Sequence, residues 1–163
     1  MSALPAEKAR SQIAELVDSA VKQTVGLQDI LEQELVALRA QDADRLQQVM
    51  DDKSARVETL RRIDTERSAL CADQGIAPGA DQMDRLIAIC GNDSAIAHSW
   101  DRLMQLAIEC NAMNMKIGAI IRLRRQQIDD GIAFLRGDTA PNATYHMSGS
   151  NERAGAMRSL AQA

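Results

Sequence analysis

Aromatic residues are nearly missing from this chain of 163 residues, which holds one Trp, one Tyr and one Phe. Sandwiches and barrels fill their interiors with aromatic and β-branched side chains, so an all-β fold has little to build with here. Proline is scarce as well, at Pro5, Pro78 and Pro141, which leaves long stretches without a helix breaker. No apolar run approaches the ~20 residues that span a bilayer, and MSALPAEKAR at the start lacks the apolar stretch of a secretory signal. With a net charge of −4, the chain has no electrostatic footprint for nucleic acid or an anionic membrane. These absences predict a cytoplasmic protein with no nucleic-acid partner and no membrane insertion.

Catalytic and cofactor chemistry is equally short of material. GxxxxGK[ST], GxGxxG and GxSxG are all missing, so phosphate cradles and nucleophile elbows have no support. The three cysteines, Cys71, Cys90 and Cys110, have no metal or redox spacing and fall at apolar helical positions, as core thiols in a reducing compartment would. The only histidines are His98 and His146. A phosphotransfer domain needs an exposed helical histidine, usually with a basic residue and a glycine nearby. Ser99, Trp100, Asp101 and Arg102 follow His98 without a glycine, so an ordinary surface histidine is the preferred reading. The expectation is a protein that is not an enzyme and carries no cofactor and no metal.

What the chain does contain is helix-forming sequence, rich in Ala, Leu, Ile, Gln, Glu, Arg and Met. From Ala6 to Arg39, apolar residues recur every three or four positions: Ile13, Leu16, Val17, Ala20, Thr24, Leu27, Leu31, Leu35 and Leu38. Gly26 interrupts this stripe and marks a close helix contact or a bend. After a break at residues 40–44, with Asp44 read as the N-cap, a second helix runs to Asp73 and stops at Gly75. Its stripe is Leu46, Val49, Met50, Lys53, Val57, Leu60, Ile63 and Leu70. So short a break makes the two helices antiparallel neighbours. A loop, a short helix over 81–89 and a turn at residues 91–94 lead to a third long helix, from Ala95 to about Arg136. Its apolar positions include Leu103, Leu106, Cys110, Met113, Ile117, Ile120, Ile121, Ile128, Ile132 and Leu135.

Residues 1–137 thus form an all-α domain, an elongated, coiled-coil-like antiparallel three-helix bundle with a short extra helix. Residues 138–163, rich in Gly, Ser, Asn and Ala, read as a mobile carboxyl tail. A faint helical signal in it, Ala154, Met157, Leu160 and Ala161 after Asn151, is too short to hold in water and suits folding on a partner. In the third helix, Asn111 and Asn114 lower helix stability and share a face; they read equally as a register-fixing pair or as a partner contact. Arg122, Arg124 and Arg125 read as a solvated face.

Trp100, Leu103, Leu106, Cys110, Asn114 and then Ile117, a helix ending at Leu135-Arg136-Gly137, and Tyr145 with Gly149 four residues on resemble the carboxyl half of the FlgN family. The amino half is similar to that family too, in its leucine-rich first helix with Glu32 and Glu34, the Asp-capped second helix with Lys53, and the Gly75 stop. The chain differs at Met115, where the family often has Gly, and at His146, where it often has an acidic residue. The resemblance implies a cytosolic chaperone of flagellar type III export. Such a protein binds hook–filament junction proteins through their amphipathic terminal segments, prevents premature assembly, and delivers them to the export gate and its ATPase components. On that basis Asn111, Asn114, Ile117, Met157 and Leu160 are the candidate client-binding residues, and Tyr145 the candidate for docking on the gate. An adaptor bundle bridging other proteins is the alternative. Apolar stripes this long also allow self-association without a client.

Overall fold

The computed structural model describes residues 5–137, and they are helical apart from short connections: α1 (Ala6–Ala40), α2 (Ala43–Asp73), α3 (Gln82–Ile89) and α4 (Ser94–Arg136). The chain divides after Ile121 into two compact units.

The first unit takes its order from its turns. Gln41 in the left-handed region (φ 56°) closes α1, and the next residue, Asp42, already caps α2 by accepting the Arg45 N–H at 2.9 Å. The cap is therefore Asp42 and not Asp44, which lies in the first helical turn. The turn is tighter than the spacing of the sequence suggests because a non-glycine residue adopts the left-handed conformation. At the end of α2, Gly75 (φ 71°) does what a helix terminator does: its N–H reaches the Ala72 carbonyl and that of Ile76 reaches Cys71, both at 2.9 Å. Ile76 then turns into the core. The start of α4 is one residue earlier than the sequence suggests. Asp93 is its cap, with Oδ1 accepting from the N–H groups of Ala95 (2.9 Å) and Ile96 (3.4 Å).

Contacts across the helices fix their directions. Lys53 pairs with Glu34 and Arg56 with Gln23, so α2 runs antiparallel to α1. Arg10 meets Asp93 and Thr24 meets Cys110, so α4 runs in the same sense as α1. The core is a chain of three clusters along α1. Ala9, Ile13 and Val17 pack with Leu70, Cys71, Ile76, the α3 residues Met83, Leu86 and Ile87, and Ile96. Ala20 and Val21 pack with Ile63 and Leu103, and Leu31 and Leu38 with Cys110 and Ile117. Each fully buried Leu or Ile contributes ~1.5–3 kcal/mol. The short helix α3 thus seals one end of the bundle, with Leu86 completely buried. Gly26 marks a close contact, since a Cβ there would collide with the Arg56 guanidinium reaching over from α2.

Burial along α4 stops at Ile117. Past it, Ile121, Leu123, Ile128, Ile132, Phe134 and Leu135 are exposed, the last two at 76% and 84%. The apolar stripe of α4 thus outlasts its buried residues. In the second unit, residues 122–136 form the last turns of α4, where Gly137 (φ 74°) ends the helix.

Candidate functional site

Because α2 and α4 both pack on α1, a cleft of about 370 Å³ opens over it. Leu16, Val17, Ala20, Thr24 and Leu27 make its floor. Leu60 and Ile63 of α2 form one apolar wall, with Trp100, Leu103, Met104, Ala107 and Cys110 of α4 opposite. The lining is mostly aliphatic, and apart from the buried Thr24 its polar groups gather at the rim: Asp64, Arg67, Asn111 and Asn114.

At one end stands Arg67, whose guanidinium lies over the Trp100 ring at 5.6 Å from the centroid, within cation–π range. The same guanidinium donates to Asp64 Oδ1 (2.9 Å) and to Gln82 Oε1 of α3 (3.1 Å), tying α2, α3 and α4 together. Near the other end, Lys53 Nζ sits 2.8 Å from Glu34 Oε2 and 2.8 Å from Asn114 Oδ1. Glu34 is buried, and Lys53 neutralises it. The rise of a helix puts residues 53 and 67 of α2 roughly 21 Å apart, about the length of four helical turns.

Asn111 and Asn114 are both exposed and both line the cleft. Ile117 is placed differently: it is buried with Leu31, Leu38 and Cys110 and is not part of the lining. Tyr145, Met157 and Leu160 lie outside the described residues, as do His146 and the whole of the expected tail. Met104 borders the cleft, Met113 packs on the core and Met115 is exposed. The cysteines are buried, and desolvation pushes all three thiols above their ordinary range. His98 is exposed on α4.

Arg67, Asp64 and Glu34 were missed as site residues by the sequence reading. A charged residue inside an amphipathic stripe is a signal for such partners, and Lys53 stands inside the α2 stripe.

A packed bundle whose apolar cleft has polar ends can receive the apolar face of another helix. No helix among the described residues is long and apolar enough to cross a membrane. A family model described as FlgN protein matches residues 7–153. No curated protein and no solved structure matches the chain. With nine-tenths of its length inside that match, the chain belongs to the FlgN family of flagellar export chaperones.

Proposed function

We propose that this chaperone serves the hook–filament junction proteins, works in the cytoplasm, and hands its clients to the flagellar export gate. The observation that carries the reading is the cleft, an apolar trough about four turns long with polar groups at its rim. An amphipathic terminal segment exposed on an unassembled client is an aggregation hazard, and an apolar trough of this length removes its apolar face from water. Asn111 and Asn114 contact the client from the rim. Ile117 acts from the core by seating the turn that carries Asn114. Met157 and Leu160 add anchors from the carboxyl segment, and Tyr145 docks on the gate.

Calorimetry with a purified junction protein, intact and without its carboxyl-terminal segment, tests the client. A stoichiometric complex with the intact protein that is lost on truncation is expected. No heat and no co-elution with any junction protein would overturn the assignment and favour an adaptor role. A chain ending at Gly137 that bound as well as the full chain would remove Met157 and Leu160 from the site. Unchanged gate binding by Tyr145→Ala would remove Tyr145.

A further inference from the structure

Lysine has donors only, so the atom of Asn114 that lies 2.8 Å from Lys53 Nζ has to be the amide oxygen. This chemistry fixes the orientation of an amide whose two ends otherwise look alike. Lys53 is itself held by Glu34, which is buried at 3% exposure and sits 2.8 Å from the same nitrogen. The chain of contacts from Glu34 through Lys53 to Asn114 therefore turns the Asn114 NH₂ away from Lys53, as a pair of donors at the border of the cleft. Among the described residues nothing accepts from that NH₂. Asn111, one helical turn earlier on the same rim, has no side-chain hydrogen bond among them either. Lys53 has used two of its three N–H groups. Asn114 and Lys53 thus keep unused donors beside this end of the cleft, and the buried Glu34 carboxylate is occupied by Lys53.

We infer that this end of the cleft selects for a hydrogen-bond acceptor, so that the bound helix carries an Asp or Glu beside its apolar face where it passes Asn114. Asn114 is the specificity-determining contact, Glu34 is a positioning residue, and Lys53 both sets the direction of Asn114 and attracts the carboxylate. The carboxylate accepts from the Asn114 amide nitrogen and is drawn by the remaining Lys53 donor; charge-assisted bonds of this kind are the strong ones. A lysine at the same place would meet the Asn114 N–H donors and the Lys53 cation, and neither can accept from it. The inference rests on the cleft being the client site, and it adds the chemical class of the recognised segment.

The test separates the two ideas by using a probe that is not the natural client. Two synthetic amphipathic helical peptides, identical except for Glu or Lys at one position at the edge of the apolar face, are titrated into the full chain. The wild type is expected to favour the Glu peptide by about tenfold. In Asn114→Asp, one carboxylate oxygen keeps the Lys53 contact and the other replaces the donor with an acceptor, so the preference is expected to shrink or reverse. Circular dichroism and thermal melts confirm that the variant is folded. Lys53→Gln, which keeps a donor but loses the charge and the fixed direction, is expected to lower the preference without abolishing binding. No Glu preference in the wild type, the same preference in Asn114→Asp, or failure to bind either peptide overturns the inference. If the Glu preference is present and no junction protein binds, the client assignment fails and the recognition chemistry stands.

Discussion

The Arg67 guanidinium lies 5.6 Å from the centroid of the Trp100 ring, and Trp100 is the sole tryptophan of the chain. The ring borders the cleft and is only partly buried, so its emission reports what fills the cleft. A helix entering the cleft removes water from the ring and is expected to shift the emission to the blue. Titration of a client followed by fluorescence checks this. An unchanged spectrum at saturation would place the client elsewhere.

Lys53 and Glu34 form an ion pair that is mostly out of water, with side-chain exposures of 22% and 5%. Lys53→Met leaves the Glu34 carboxylate buried without a partner and is expected to cost about 3 kcal/mol. The double change Lys53→Met with Glu34→Leu removes both charges and is expected to regain most of that loss. Urea denaturation of the two variants and the wild type measures both values.

Asp93 caps α4 and accepts from Arg10 at 2.6–2.7 Å. The Ala95 N–H first, and then the Arg10 side chain, hold its carboxyl below the usual carboxylate range. A folded-state value below the unfolded one means the group stabilises the fold above the unfolded value of about 3.9. That contribution is lost as the pH falls through the lower, folded value. Asp93→Asn is therefore expected to melt earlier than wild type at neutral pH, with the difference closing below about pH 4. A difference independent of pH between 7 and 2.5 would contradict this.

At Gly26 two effects oppose each other. Alanine is favoured over glycine inside a helix by about 1 kcal/mol, but its Cβ would displace the Arg56 guanidinium from Gln23. Gly26→Ala in the wild type is expected to be close to neutral. In an Arg56→Ala background the same change is expected to stabilise by about 0.5–1 kcal/mol. Thermal melts of the four proteins complete the cycle.

Leu31 is completely buried, whereas Leu135 is 84% exposed. Leu31→Ala is expected to cost about 2–5 kcal/mol. Leu135→Ala is expected to stay within about 0.5 kcal/mol in the unfolding free energy. Sedimentation of Ile128→Ser with Leu135→Ser against wild type tests whether the exposed residues of α4 drive self-association.

The long helices were legible in the sequence because their periodicity is local: α1 and α2 end within about one residue of where the spacing places them. The α1 stripe also contains the floor of the cleft, since its members Leu16, Val17, Ala20, Thr24 and Leu27 all line it. The site itself was legible in part. Asn111 and Asn114 were singled out as residues that weaken a helix, and they do line the cleft. The Arg67–Trp100 and Lys53–Asn114 contacts join residues 33 and 61 positions apart, and helical periodicity carries no information about the relative register of two helices. The same limit explains Ile128 and Leu135. Nothing in the α4 stripe records that its burial stops at Ile117.

The buried residues of α4 are Ile96, Leu103, Cys110 and Ile117, each seven positions after the last. Seven residues make nearly two full turns, so such anchors stay in line with one neighbour. Changes of length between Ile96 and Ile117 are thereby quantised. A single inserted residue rotates everything beyond it by about 100° and swings the following anchors off the seam. Seven inserted residues add two turns and return the next anchor to its place. Relatives whose third long helix differs in length before its last anchor should therefore differ in steps of seven.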